Sequence, residues 1–365
     1  MRRFIWAVVA LVLAVPAFAA DTRFPEAKSG KGELKYVNGI PVLTLDGTPE
    51  EIGTQFGELA LVPAKKPLIG RVDSYMKQIG WEKVFPTMIK FADIVYYSLP
   101  KQNQVELKTA AKVADVDKNL LTALNAIPDL AKMGGCSTLV VEPARSTTGA
   151  PLFGRILDWP PFEELPEYTL VIVYRPKDKH AFAAVTFPVL FGVLSGMNDA
   201  GLSLAINEIT ASKDESKSPN MSGTPMLFLF RKILEECTTL DEVEKMLKEH
   251  KRTTWFCLTV CDAKGGCVFE VTPRNVVRRT GEKDVCCCTN HFRTDELSVT
   301  KKCRRYAKLE ELQKADGKLG VAEIAKALDS VNQESSTMQS MVFEPGDRVL
   351  HLAYGGNKTA TAKPL

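Results

Sequence analysis

Gly134-Gly135-Cys136-Ser137-Thr138-Leu139-Val140-Val141, followed by Gly154-Arg155-Ile156-Leu157-Asp158-Trp159, decides how this chain is read. A cysteine directly after a Gly-Gly turn heads an apolar, β-prone run. An arginine and an aspartate then arrive on a second strand-like stretch about twenty residues on. That order suits a cysteine that becomes a new N-terminus when the chain is cut before it. The freed α-amine then serves as general base on the neighbouring thiol, and it titrates near neutral pH, where a general base works best. No histidine is required, which matters in a chain with only four. The competing reading of Cys136 is a small cysteine buried at the start of a strand.

The chain around this stretch has 365 residues, enough for one large core or two ordinary ones. With 45% hydrophobic and 25% charged residues its composition is that of a globular protein. A net charge of +3 is too small in a chain of this size to imply a nucleic-acid or membrane-surface partner. Arg2-Arg3 precede an apolar stretch from Phe4 to Val15, and Ala17-Phe18-Ala19 closes it with small residues at the positions that matter for cleavage. The pattern predicts a secretory signal peptide over residues 1–19, mature protein from Ala20, and a secreted or periplasmic destination. The alternative is an uncleaved anchor, for which the stretch is short. No membrane span is expected after signal removal. Nine cysteines are many. Cys257, Cys261, Cys267 and the run Cys286-Cys287-Cys288 lack paired metal-ligand spacing, and in a strand Cys286 and Cys288 face away from Cys287. Buried strand cysteines come first, then disulfides, then a metal site.

Along the chain, a polar lead-in (Lys28 to Lys35) precedes a strand at Ile40 to Leu45. Thr48-Pro49-Glu50-Glu51 then has a helix-start composition. Gly53 and Gly57 leave a bare stripe on that helix for close packing. From Ala64 to about Leu130 the pattern is helical, with breaks expected at Pro86, Pro100 and Pro128. Short β-rich runs dominate from Cys136 to Val277, interrupted by a helical segment from Pro225 to His250 with a capping signal at Thr238-Thr239-Leu240-Asp241. A strand at Val285 to Cys288, helices at about Val299 to Lys314 and Val321 to Val331, and strands at Thr337 to Glu344 and Val349 to Ala353 complete the reading. The tail from Asn357 is polar. This order predicts an α+β fold with antiparallel sheets.

Several other residues have chemistry to offer. Arg155 and Asp158 stand three apart; Asp158 can hold the Cys136 amine and Arg155 can orient that aspartate or a substrate carbonyl, or the two form a surface ion pair. Asn290 suits an oxyanion donor and equally a turn. Asn207, a polar break in an apolar strand, is a second donor candidate and a substrate-binding one, whereas Asn198 reads as a hairpin turn. Arg305 is either an active-site cation or solvated helix charge. His291 offers a papain-like Cys/His dyad with Cys136; His180, His250 and His351 read as loop, helix-end and strand-surface positions. Gly192-Val193-Leu194-Ser195-Gly196 misses the Gly-x-Ser-x-Gly elbow of α/β-hydrolases by one position.

Taken together, these pieces resemble the N-terminal-nucleophile (Ntn) hydrolases, in particular the acyl-CoA:6-aminopenicillanate acyltransferase family, and more distantly bile-salt hydrolases and acid ceramidase-like enzymes. The resemblance runs from Leu45 to Gly57 through Gly135-Cys136-Ser137, the Arg155-x-x-Asp158 stretch, Gly196 to Leu202, Thr289-Asn290-His291-Phe292 and Arg305-Tyr306 to Ser340-Met341-Val342-Phe343. It implies a four-layer αββα sandwich of two antiparallel sheets, with residues 20–365 as one structural domain. It also implies self-cleavage between Gly135 and Cys136 into chains of residues 20–135 and 136–365 that stay associated. Cys136 would be the nucleophile and its amine the base, with Asp158 and Arg155 positioning it. Asn290, with Asn207 as a further candidate, would be the oxyanion donor and Arg305 an active-site arginine. Where the family commonly has Asn-Trp or Asn-Leu inside Arg-x-x-Asp, this chain has Ile156-Leu157, and the stretch before the late arginine leaves Arg304 as an alternative to Arg305. The activity so implied is cofactor-free and metal-free hydrolysis or acyl transfer at a linear, non-peptide amide of a small-molecule substrate, through an acyl-thioester. The other readings are a catalytically inactive secreted αββα binding protein and a Cys/His papain-like protease.

Overall fold

Strand by strand, alternate residues of this chain face different cores, and that alternation builds the layers. The computed structural model describes residues 23–132, 134–160 and 165–355. The signal-peptide reading of residues 1–19 and the polar tail from Asn357 lie outside them. The N-terminal segment supplies β1 (Ala27–Ser29), β2 (Gly32–Val37) and β3 (Ile40–Gly47). It continues through helices α1 (Pro49–Phe56), α2 (Val62–Lys65), α3 (Val72–Gln78), α4 (Phe85–Lys90), α5 (Ala92–Ser98), α6 (Lys101–Ala114) and α7 (Lys118–Leu130). After Gly134 come β4 (Gly135–Val141), β5 (Leu152–Asp158), β6 (Leu170–Pro176), β7 (Phe182–Thr186), β8 (Ser195–Asn198) and β9 (Ser203–Glu208). Helices α8 (Met226–Glu236) and α9 (Leu240–Glu249) precede β10 (Phe256–Cys261), β11 (Gly266–Val271), β12 (Val276–Arg279) and β13 (Val285–Cys288). Helices α10 (Arg304–Lys314) and α11 (Val321–Asp329), then β14 (Thr337–Glu344) and β15 (Val349–Tyr354), end the described fold.

The strands form a ten-stranded sheet, β1-β2-β3-β6-β7-β8-β9-β10-β11-β12, and a five-stranded sheet, β13-β4-β5-β14-β15. In β4, Leu139 and Val141 pack with Leu309, Ile324 and Leu328 of α10 and α11. Val140, between them, faces the other way and meets Val268 and Cys261 of the large sheet. The far face of the large sheet is covered by α1, α6, α7, α8 and α9. Three apolar interfaces thus separate four layers, the αββα sandwich expected. Neighbouring strands run antiparallel except β3 and β6, which pair in parallel. That junction sews the N-terminal segment into the large sheet beside strands that follow Cys136.

Local chemistry accounts for the helix borders. Thr48 caps α1 in a reciprocal capping box with Glu51, and Thr239 does the same for α9 with Glu242. The bare stripe on α1 lies against α6. A Cβ on Gly53 would come within 2.6 Å of the Glu106 carbonyl oxygen. Three expectations need correction. Pro128 lies inside α7 rather than ending it. The lead-in from Lys28 contains a β-hairpin at the sheet edge, whose half-solvated strands carry few apolar residues. The penultimate helix starts at Arg304, not Val299. All nine thiols are free; Cys286 and Cys288 face the space between the sheets and Cys287 faces α10, as the alternation predicts.

Candidate active site

The five-stranded sheet places β4 between β13 and β5, so the strand headed by Cys136 is flanked by the carriers of Asn290 and of Arg155 and Asp158. Register sets the details: Gly135 lies opposite Asp158, Cys136 opposite Leu157, and Thr138 opposite Arg155. Asn290 follows β13 by two residues. Its loop is pinned by Glu270, which accepts hydrogen bonds from the Arg293 and Thr294 amides at 2.8 and 3.1 Å.

Asn290 grips the chain on both sides of the Gly135–Cys136 peptide. Its Oδ1 accepts the Cys136 amide N–H at 2.8 Å, and its Nδ2 donates to the Gly134 carbonyl at 3.2 Å and the Glu208 carbonyl at 2.9 Å. Arg305 donates from Nη1 to the Cys136 carbonyl at 2.5 Å and from Nη2 to Asn290 Oδ1 at 2.7 Å. Its Nη1 also lies 3.8 Å from Asp158 Oδ2. Arg304 is exposed, whereas its neighbour Arg305 makes the contacts with Cys136 and Asn290. Asp158 Oδ1 accepts from the Thr337 hydroxyl at 2.6 Å, while its Oδ2 is buried without a hydrogen bond. Asp158 therefore touches neither the Cys136 amide, which Asn290 holds, nor Arg155 by a hydrogen bond.

Arg155 is fully buried rather than part of a surface ion pair. Its Nε donates to Ser195 Oγ at 3.1 Å and its Nη1 to the Ile156 carbonyl at 2.8 Å; Nη2 has no hydrogen-bond partner. Its charge acts on the thiol. Burial pushes the Cys136 thiol up, Arg155 pulls it back, and Glu208 and Asp158 push it up again. Burial likewise lifts Asp158 to about 6, against the pull of Thr337, Arg305 and Arg155. A thiol held up in this way needs a base to ionise at neutral pH.

Asn207 lies deeper between the sheets. Its Oδ1 accepts from the Thr138 hydroxyl at 3.2 Å, and its Nδ2 is buried without a partner. Asn198 is the hairpin turn expected, its Oδ1 accepting from the Ala200 and Leu202 amides. No hydrogen bond joins His291 to Cys136 among the described residues; burial and the positive charges of Arg305 and Arg293 hold its imidazole below its ordinary range. His351 is buried against Glu344, 2.7 Å away, rather than on a strand surface.

Sequence reasoning missed Glu208. Its carboxylate accepts the Gly134 amide N–H at 2.6 Å, and burial holds its pKa up against the pull of Lys132. The signal was available, a carboxylate closing the apolar run of β9, but nothing local tied it to Gly134. The two glycines are needed for approach. A Cβ on Gly134 would lie 3.0 Å from Glu208 and 3.2 Å from the Trp159 indole nitrogen, and one on Gly135 3.2 Å from Asp158. Trp159 also walls an apolar cavity of about 80 Å³ shared with Leu68, Tyr75, Leu124, Ile127 and Phe187. Helices of the N-terminal segment thus make one side of a pocket that abuts the segment before Cys136.

This chain is similar to several known proteins. A curated relative, an uncharacterized protein of Archaeoglobus fulgidus, is 26% identical over 266 residues, 64% of this chain and 44% of that protein. The aligned stretch thus spans less than half of that relative. Among solved structures, a Caenorhabditis elegans N-acylethanolamine-hydrolyzing acid amidase ortholog has a TM-score of 0.46 at 18% identity, covering 58% of this chain and 93% of that one. Penicillin V acylase from Agrobacterium tumefaciens has a TM-score of 0.44 at 15% identity, covering 60% and 83%. The family model for acyl-coenzyme A:6-aminopenicillanic acid acyl-transferase matches residues 145–359. That range holds Arg155, Asp158, Asn207, Asn290 and Arg305 and starts nine residues after Cys136. Matched over more than half of its length, the chain belongs to the acyl-coenzyme A:6-aminopenicillanic acid acyl-transferase family.

Proposed function

We propose that this protein is a self-activating Ntn amidohydrolase or acyltransferase, exported by its signal peptide, that acts on linear non-peptide amides with an apolar acyl group. The observation that carries the reading is the grip of Asn290 on both sides of the Gly135–Cys136 peptide. In self-cleavage the Cys136 Sγ attacks the Gly135 carbonyl carbon. The C–N bond breaks as the C–S bond forms, and the amine nitrogen takes the thiol proton. Water then hydrolyses the thioester, leaving a Gly135 carboxylate and a free Cys136 amine.

The same residues then serve turnover. The amine, still facing Asn290 Oδ1, takes the thiol proton, and Arg155 stabilises the thiolate beneath it. Departure of the Gly134 carbonyl frees Asn290 Nδ2 to donate to the oxyanion of an incoming amide, with Asn207 Nδ2 as a second candidate donor. Arg305 fixes Asn290 and the Cys136 backbone. Collapse of the tetrahedral intermediate returns the proton to the leaving amine, and water or another amine resolves the acyl-thioester. The Trp159 cavity suits the acyl chain, being lined by side chains that offer it little but hydrocarbon. The two chains would remain associated through the β3–β6 pairing and the buried Glu106–Arg231 contact.

Intact mass and N-terminal sequencing of the wild-type chain beside Cys136→Ala test this reading. Two fragments, one beginning at Cys136, are expected from the wild type and one uncut chain from the variant. Amides of increasing acyl length should then be turned over only by the cut protein. An uncut wild-type chain that turns over none of them would overturn the proposal.

A further inference from the structure

Four of the large apolar side chains left exposed in this protein fall within fourteen residues of one another in sequence. Val84 is 50% exposed, Phe91 61%, Ile94 54% and Tyr97 67%. Phe91 immediately precedes α5, and Ile94 and Tyr97, three apart within it, share one face of that helix. The patch continues across the chain. A small cavity of about 30 Å³ is lined by Val95, Ser98, Ala126, Leu130, Pro219 and Met221, and Met221 is itself 52% exposed. Clustered exposure of this kind marks a surface that meets something apolar.

We infer that this face docks on the surface of an anionic phospholipid bilayer. Exposed Lys83, Lys90 and Lys101 flank the apolar residues, opposed by Glu82, while Asp93 is already paired with Lys118 at 2.6 Å. Lysine is depleted from the cores of protein–protein interfaces, whereas a cationic rim around an aromatic and aliphatic stripe fits anionic headgroups over an acyl boundary. Among the described residues no helix is long and apolar enough to cross a membrane, so contact there would be interfacial. The location also serves the proposed chemistry, and that link rests on the amidase reading. Helix α7 turns Ala126 and Leu130 toward the patch and Leu124 and Ile127 toward the Trp159 cavity. An amphiphilic amide drawn from the bilayer would have about one helix diameter, ~10 Å, to travel.

The full chain, with Phe91→Ser/Tyr97→Ser and Ile94→Asp variants beside it, tests this by sedimentation with phosphatidylglycerol and with phosphatidylcholine vesicles. Every protein shares the apolar residues 4–15, so the difference between them reads the patch. The wild type should bind phosphatidylglycerol vesicles more tightly, and both variants should lose about tenfold or more in affinity. Tyr97→Trp gives a local readout: brominated lipid should quench the added fluorescence. Equal binding by wild type and variants, or no quenching at position 97, overturns the inference. So does a concentration-dependent dimer that Ile94→Asp dissolves while vesicles are ignored, since the face would then belong to a second copy. Turnover of a short-chain soluble amide separates the two readings. If the variants keep it, the chemistry stands whatever the vesicles show; if no protein turns over any amide, vesicle binding still decides the docking.

Discussion

Arg231 and Arg155 are both fully buried, one at the seam between the N-terminal helices and the large sheet, the other beneath the Cys136 thiol. Arg231 meets Glu235 at 2.9 Å, Glu106 at 2.6 Å and the Phe191 carbonyl at 3.1 Å, and it stacks 4.4 Å from the Tyr174 ring centroid. Burial works against its charge and the two carboxylates outweigh it. Arg155 has a hydroxyl, a carbonyl and one empty nitrogen, and its single charge pulls down Cys136, Asp158 and Glu208 together. A satisfied buried charge ties two segments together. A half-satisfied one leaves its field free to act on whatever ionises nearby.

The largest expected effect breaks the satisfied member. Arg231→Met leaves Glu106 buried without its counter-charge, while Glu235 keeps Lys179 at 2.8 Å; breaking a buried pair in this way typically costs about 3–5 kcal/mol. Chemical denaturation should show that loss, and once the proposed self-cleavage has occurred the small chain should separate from the large one at lower denaturant. A loss under about 1 kcal/mol would mean that the pairing of β3 with β6 holds the seam alone.

Arg155→Met tests the other member. It removes no carboxylate contact, so stability should change by about 1 kcal/mol or less, within the range of a modest core substitution. Chemistry should suffer instead. Without that charge the thiol rises further, and release of the Cys136 N-terminus and amide turnover should both slow by about 10²–10³-fold, as when one preorganised electrostatic partner is lost. An unfolding penalty matching that of Arg231→Met would erase the distinction between the two sites.

The seam can also be attacked without touching charge. Gly53 sits on α1 where a Cβ would press on backbone atoms of Glu106, the residue that pairs with Arg231. Gly53→Val must push α1 off α6, at about 1–3 kcal/mol for overpacking. If thermal unfolding shows no loss, α6 moves freely, and Arg231 alone places Glu106.

Much of this was legible in residues. The bare glycine stripe, the two capping boxes and the strands of β10, β13 and β14 follow from composition and period, because each is a local preference that the core also satisfies. Cys136, Arg155, Asp158, Asn290 and Arg305 came together because motif order carried them, although their individual bonds did not follow: Asn290 holds both sides of the peptide, and Asp158 holds neither Cys136 nor Arg155. The β1–β2 hairpin escaped because edge strands need only half an apolar face. Glu208 escaped for another reason. Its partner Gly134 lies 74 residues away, and only the stacking of the two sheets brings them together. Pro128 was misjudged because its ring falls in a last turn whose amide partner α7 can spare.

The smallest effect concerns the carboxyl just behind Lys132. Asp129 accepts the Met226 amide at the start of α8 and the Thr253 hydroxyl, and burial lifts it to about 6 despite these bonds and the charge of Lys132. The folded state therefore keeps a proton that the unfolded chain gives up at a lower pH. What this group adds to stability is fully present below the ordinary carboxyl range near 4 and is lost as pH rises toward 6. Acidifying from about pH 7 to about pH 5 should thus recover about 1 kcal/mol through Asp129 alone. Asp129→Asn keeps an oxygen for Met226 and Thr253 but cannot titrate, so its stability curve should be flatter than that of the wild type by that amount. Denaturant midpoints at the two pH values measure the difference. Parallel curves would mean that Asp129 keeps its charge throughout, with Lys132 as its counter-ion, and the segment before Cys136 would then be tethered by an ion pair like that of Arg231 rather than left half-satisfied like Arg155.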